Sequence, residues 1–124
     1  MNTNLMQSIL DSTYTRYHMA QQFAMNGDAC VISDGERQCA YGYYCTPEYQ
    51  QHALNKCGHI SDDFLKPQYR NLPIYFWVHL QSWHDALATK RKGAERIAMK
   101  QLLEFGLLHP SRLSYITPPT LILL

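Results

Sequence analysis

The sequence predicts an α+β fold that is mostly helical, with about four helices around one core and a short two-stranded β-hairpin after the first helix. Apolar residues recur at three- and four-residue steps in several segments, which indicates amphipathic helices. An Asp34-Gly35 pair separates two short β-prone runs, which indicates a hairpin. The chain has 124 residues, of which 46% are hydrophobic. This size and composition are typical of one globular domain, so we assign residues 1–124 to a single domain.

The first element is predicted as a helix from about Asn4 to Met25, ended by Asn26-Gly27, which tolerates the positive φ of a helix end. The hairpin strands are then predicted within residues 29–33 and 36–41. A two-residue turn at Asp34-Gly35 would place Cys30 opposite Cys39, at a separation that a disulfide could span. The N-terminus lacks the features of a secretory signal, so we expect all four cysteines to be reduced thiols in the cytoplasm.

A second helix is predicted to begin at Thr46-Pro47-Glu48, which offers an N-cap, a first-position proline and a first-turn acid. We expect it to end at Gly58 and to be followed by one capped turn from Ser61 to Lys66.

Two longer helices complete the prediction. The segment from Pro73 to about Lys90 keeps a helical apolar step through an aromatic-rich first half. Ala94 to Phe105 repeats the pattern, and Gly106 is predicted to stop it.

Charge and hydropathy disfavour two classes of partner. The chain carries 11 basic and 10 acidic residues, a formal net charge of +1. Nucleic-acid binding is therefore not favoured, although one basic run exists. That run comprises Lys90, Arg91, Lys92, Arg96 and Lys100. No apolar stretch approaches the about 20 residues that cross a bilayer, so we expect no membrane association.

Metal binding is considered because thiolates suit zinc and the cysteines cluster. The candidate ligands are Cys39, Cys45, Cys57 and His59, with Cys30 as a substitute. Structural zinc sites usually present ligand pairs about two to four residues apart. Here five residues separate Cys39 from Cys45 and eleven separate Cys45 from Cys57. We therefore expect no cofactor and keep zinc as an alternative.

Catalysis is disfavoured because no nucleophile, base and orienting group form a recognisable set. His84 is followed by Asp85, but adjacent residues on a helix point about 100° apart, which predicts that Asp85 does not orient the His84 ring. We expect His84 to be a partly buried structural histidine and the protein not to be an enzyme. A small enzyme that depends on Cys39 or His84 is the least favoured class.

A binding surface is indicated by nine tyrosines, because tyrosine offers a large apolar area with a polar tip. The segment 110–124 is apolar, and we expect it to pack on the core or to lie in an interface with another chain. The candidate partner-binding residues are Tyr41, Tyr43, Tyr44, Tyr115, Ile116 and Leu121.

The region from the first helix to Gly106 resembles a family of small uncharacterised proteins of bacteriophages, prophages and their hosts. The residues that carry the resemblance are Cys30, Gly35, Cys39-Ala40-Tyr41-Gly42, Pro47-Glu48-Tyr49 and Leu80-Gln81-Ser82-Trp83-His84-Asp85. The resemblance implies that Cys30, Cys39, His84 and Asp85 belong to one structural kernel.

These observations together predict a non-enzymatic, phage- or mobile-element-type accessory protein that acts by protein–protein binding. The expected partner is a host or defence protein that the chain inhibits or modulates, and a homodimer is a further expectation. The alternative is a zinc-stabilised small module with a weak nucleic-acid-binding face.

Overall fold

A computed structural model describes residues 2–113 of the chain. Four helices and one two-stranded antiparallel sheet occur in this range, which confirms the predicted α+β class. The elements are α1 (Thr3–Tyr14), β1 (Met25–Asn26), β2 (Ala29–Cys30), α2 (Pro47–His52), α3 (Ile74–Ala88) and α4 (Lys92–Leu103). None of the helices in residues 2–113 is long and apolar enough to cross a membrane.

Helix α1 is shorter than predicted because it changes into a π-helical turn at Thr15–Met19. The hydroxyl groups of Thr13 and Thr15 donate to the carbonyl oxygens of Ile9 (2.6 Å) and Asp11 (3.0 Å). Such bonds compete with the backbone ladder and favour a local change of helical pitch. The π-helical turn directs the buried Tyr17 towards α3, where its ring packs against His84.

The hairpin forms earlier in the chain than predicted. Strands β1 and β2 pair Met25 with Cys30 and Asn26 with Ala29, so Gly27 and Asp28 form the turn. Gly27 has φ +65°, as the first central residue of a type II′ turn requires. Asn26 and Gly27 therefore belong to a hairpin and do not end a helix.

The predicted Asp34-Gly35 turn exists but is longer than two residues. The Asp34 carboxylate accepts the backbone N–H groups of Glu36 (2.9 Å) and Arg37 (2.8 Å), and a single bridge pairs Ser33 with Gln38. Side-chain capping has lengthened the turn and ended the strand pairing. Cys30 consequently lies opposite Met25, and its predicted register with Cys39 is wrong.

The later helices largely follow the sequence signals. Thr46 caps α2, and Ser61 caps a 3-10 turn at Asp62–Phe64, as expected. Helix α2 ends at His52, before the predicted stop at Gly58. Lys90 takes the left-handed conformation (φ +60°), which prevents α3 from continuing. Helix α4 then begins at Lys92.

The core forms where α3 packs against α4 and α1. Helix α3 buries six side chains along its length, which explains its aromatic-rich sequence. They are Phe76, Trp77, Leu80, Trp83, His84 and Ala86. Gly106, with φ +85°, ends the turn that follows α4, and the next residue, Leu107, is buried.

A clasp joins α1 to the segment after α4. The Arg112 guanidinium forms a two-pronged ion pair with Asp11 (2.8 and 3.0 Å). The Gln7 side chain bonds both the N–H (2.7 Å) and the carbonyl (3.0 Å) of Leu108. Only residues 110–113 of the predicted apolar tail are described, so Tyr115, Ile116 and Leu121 lie outside the described residues.

Candidate functional site

Two of the tyrosines predicted to bind a partner are core residues. Tyr41 is fully buried, and its hydroxyl donates to the carbonyl of Ser61 (2.6 Å). Tyr44 is also buried and packs against Trp77. Neither ring can contact a partner, because both are buried. The prediction that these two tyrosines belong to a partner-binding surface is therefore wrong. Tyr43 is 42% exposed and lies under the guanidinium of Arg16, 3.5 Å from its ring centre.

The structure does not bring the predicted zinc ligands together. Cys45 is buried, and its thiol donates to the carbonyl of Tyr41 (3.5 Å), whereas His59 is exposed. The buried Cys39 sulfur accepts the N–H of Gly42 (3.2 Å). In this alternative ligand set, the two buried thiols instead serve as local hydrogen-bond partners of the 39–45 backbone.

A different group of metal-ligand residues does converge. Within residues 2–113, Cys30, His84 and Asp85 form the one set of three such side chains whose ligand atoms all lie within 4.8 Å of one another. We call these three residues the thiol cluster. Strand β2 supplies Cys30, and the C-terminal half of α3 supplies the other two. The family resemblance placed Cys30, His84 and Asp85, together with Cys39, in one structural kernel, but it did not identify them as a set of metal ligands, because 53 residues separate Cys30 from His84.

His84 and Asp85 contact each other, contrary to the prediction from helix geometry. His84 Nδ1 lies 2.9 Å from Asp85 Oδ1. Nδ1 is the ring nitrogen closest to the backbone of His84. The short side chain of Asp85 can therefore reach it, although the Cα–Cβ bonds of the two residues point in different directions. Since an ionised carboxylate can only accept, this contact assigns a proton to Nδ1. Nε2 is buried and has no hydrogen-bond partner among the described residues.

Gln81 fixes the carboxylate from one helical turn away. Its Nε2 donates to Asp85 Oδ1 (2.8 Å), and its Oε1 accepts the backbone N–H of Tyr41 (2.9 Å). The Tyr41 bond determines which way the amide faces, since a backbone N–H can only donate. One oxygen of Asp85 is thus held by two donors.

The thiol of Cys30 lies beside this carboxylate. Burial, followed by the charge of Asp85, raises the pKa of Cys30 to about 11. A nucleophilic cysteine needs a lowered pKa, so this arrangement does not activate the thiol at neutral pH. The cluster borders a cavity of about 160 Å³ that is also lined by Cys39 and Cys57. Cys57 is exposed, and its thiol donates to the Cys30 carbonyl (3.2 Å).

A second feature lies on the α4 side of the molecule. Three cavities, each of about 330 Å³, follow one another along α4, and neighbouring cavities share wall residues. His18 and Arg96 line the first two, and Leu87 and Lys92 line the last two. We call this continuous depression the α4 groove. Since α4 has 12 residues, it extends for about 18 Å, enough for about five residues of extended chain.

The α4 groove is basic around one central carboxylate. Glu95 lines all three cavities. Lys92, Arg96 and Lys100 recur every four residues, which places them on one face of α4, and Lys90 adds a fourth cation at the end. All four cations are exposed, and none makes an ion pair with another residue of the described chain.

The floor of the groove is apolar and aromatic. Tyr14, Trp83 and Met99 are nearly buried beneath it. His18 stacks on Tyr14 at 4.4 Å between ring centres. Burial, and then the charge of Glu95, raise the pKa of Tyr14. The four-residue basic spacing was visible in the sequence, but the floor depends on the packing of α1 against α3.

Comparison with protein-family models, curated proteins and solved structures finds no match to this chain.

Proposed function

We propose that the protein is a non-enzymatic binding module that holds an acidic segment of a partner protein in the α4 groove. The observation that carries this proposal is the row of four exposed cations without ion-pair partners among the described residues, set along a groove with an apolar floor.

Charge complementarity favours an acidic peptide segment. Unpaired basic side chains beside a groove attract and orient carboxylates, which raises the association rate and selects the partner. The apolar floor adds burial of side-chain area between the charged contacts. Glu95 in the middle calls for a hydrogen-bond donor in the corresponding part of the partner.

A protein segment is favoured over nucleic acid on two grounds. Glu95 would repel a continuous phosphate backbone in each part of the groove. The formal net charge of the chain is only +1, and nucleic-acid affinity depends on a strongly basic face.

We further propose, on the resemblance to phage and prophage proteins alone, that the chain is a phage- or mobile-element-type accessory protein. Its partner would then be a host or defence protein that the chain inhibits or modulates in the cytoplasm.

The proposal is tested with the double variant Arg96→Glu/Lys100→Glu. The wild-type protein is isolated gently from a bacterial host, its complexes are measured by native mass spectrometry, and the identified partner is titrated against each variant. Reversal of two groove charges is expected to weaken binding by about 100-fold.

The matched control is Lys56→Glu, since Lys56 is exposed and does not line the groove. It should bind like the wild type. A partner that binds the double variant and the wild type equally well would contradict the proposal. Co-purification of nucleic acid, lost in the double variant, would replace it by the nucleic-acid function. If the wild type forms a homodimer, and the double variant and the control variant form it equally well, the surface for self-association lies outside the α4 groove.

A further inference from the structure

We propose that Cys30, His84 and Asp85 form a binding site for one zinc-like divalent cation. The proposed ligand atoms are Cys30 Sγ, His84 Nδ1 and one carboxylate oxygen of Asp85. This site is independent of the α4 groove, which shares no wall residue with the cavity beside the cluster.

The donor set selects the class of metal. One sulfur, one imidazole nitrogen and one carboxylate oxygen suit a borderline-soft cation such as Zn²⁺, whereas Ca²⁺ and Mg²⁺ prefer oxygen ligands only. A three-residue set that leaves a fourth position is an established arrangement for zinc.

The geometry requires little movement. In a tetrahedral zinc site, neighbouring ligand atoms lie about 3.3 to 3.6 Å apart, as follows from the metal–ligand bond lengths. His84 Nδ1 and Asp85 Oδ1 are already 2.9 Å apart, and no pair in the cluster exceeds 4.8 Å. Closure by about 1 Å at the longest pair is within the reach of side-chain rotation.

The surroundings hold the ligands in place. His84 is fully buried, and its ring packs edge-to-face against Tyr17 and Phe23. Gln81, held by the Tyr41 N–H, bonds Asp85 Oδ1 and so fixes the orientation of the carboxylate. Such supporting bonds orient metal ligands and strengthen binding.

Cation binding takes the thiolate form of Cys30 and an imidazole nitrogen without a proton at His84. The displaced protons pass to solvent.

The cavity next to the cluster gives the cation a route from solvent. Asp85 and Cys30 line it, and the exposed Cys57 stands at its edge. A fourth ligand to the cation would be water, as in zinc sites with three protein ligands.

The test is titration of the full chain with Co²⁺ under reducing conditions. Cobalt is a spectroscopic substitute for zinc, and the intensity of its thiolate charge-transfer band counts the bound sulfurs. We expect one Co²⁺ per chain with one thiolate, and displacement of the Co²⁺ by Zn²⁺. Cys30→Ser and Asp85→Asn should each weaken binding by at least about 100-fold, since loss of a ligand exceeds loss of a supporting bond.

The control variant is Cys57→Ser, which removes the exposed thiol and spares the three ligands. It should retain one cation and one thiolate. Circular dichroism establishes that Asp85→Asn, which keeps the size of the side chain, is folded. Binding that survives Cys30→Ser but is lost in Cys57→Ser, or equal binding by all folded variants, would overturn the proposal.

Discussion

In the thiol cluster, Gln81 and His84 both reach one oxygen of Asp85, whereas in the α4 groove Lys92, Arg96 and Lys100 pair with no described acid. The first region is partly buried, and its carboxylate is positioned by two neighbouring side chains. The second is exposed, and its cations have no ion-pair partner among residues 2–113. Internally bonded polar groups fit a small ligand of fixed geometry, and free surface charges fit a macromolecule that supplies the missing partners.

The two regions also differ in how tightly their backbone is packed. A Cβ atom on Gly42, near the thiol cluster, would lie 2.5 Å from the Ile32 carbonyl oxygen, which already accepts the N–H of Cys39. A Cβ atom on Gly93, in the first turn of α4, would meet nothing within 4 Å. The same substitution should therefore have opposite effects at the two positions.

Gly42→Ala gives the largest expected effect. We expect it to lower the free energy of unfolding by about 3 kcal/mol, because the backbone near Ile32 must move and its hydrogen bond must lengthen. Gly93→Ala should raise that free energy by about 0.5 kcal/mol through reduced flexibility of the unfolded chain. Urea denaturation of both variants measures the difference, and a similar loss in the two would contradict the contrast in packing.

Removal of the bond that holds the cluster should have the next largest effect. Gln81→Leu keeps the volume but leaves the Tyr41 N–H without its acceptor and Asp85 with one donor fewer. We expect a loss of about 2 kcal/mol in the free energy of unfolding. Ser82→Ala, at the exposed neighbouring position of α3, is the control and should change it by less than about 0.5 kcal/mol. If the two variants are equally stable, Gln81 does not support the cluster.

Alkaline pH should lower the stability of the fold through the buried thiols of Cys39 and Cys45. Burial raises the pKa of Cys39 and of Cys45 to about 12, above the ordinary value of 9.0. Between these values the unfolded chain releases thiol protons that the folded chain retains. Stability is therefore complete below pH 9 and falls as the pH rises towards 12, by up to about 1.4 kcal/mol per pH unit for each thiol.

Urea denaturation of the wild type and of Cys45→Ala, from neutral pH upwards, isolates the contribution of one thiol. The variant should start at lower stability, because it leaves a small cavity, and then lose stability less steeply above pH 9. Parallel pH profiles for the two proteins would show that Cys45 ionises equally in the folded and unfolded chains.

Local signals in the sequence predicted the helices well. Thr46, Ser61 and Gly106 act within one or two helical turns of their own position, so capping rules placed three element ends correctly. The long apolar period of α3 outweighed the β propensity of its first residues.

The position of the hairpin and the convergence of three metal-ligand side chains were missed for physical reasons. Residues 25–38 contain two turn signals, Asn26-Gly27 and Asp34-Gly35. The Asp34 side chain caps two backbone N–H groups, which makes the second signal unsuitable for a tight hairpin. The thiol cluster depends on the contact of β2 with α3, which no local rule specifies. The π-helical turn, which directs Tyr17 to His84, has no propensity signal that distinguishes it from continued α-helix.

The clasp between α1 and the segment after α4 bears on how the chain is made. Asp11 emerges from the ribosome before its partner Arg112, which lies 101 residues later. At about 5 to 20 residues per second, α1 waits about 5 to 20 s for that partner during synthesis. Helices α3 and α4, which supply much of the core, are synthesised within this interval, so the clasp closes a core that can already have formed and cannot start its folding.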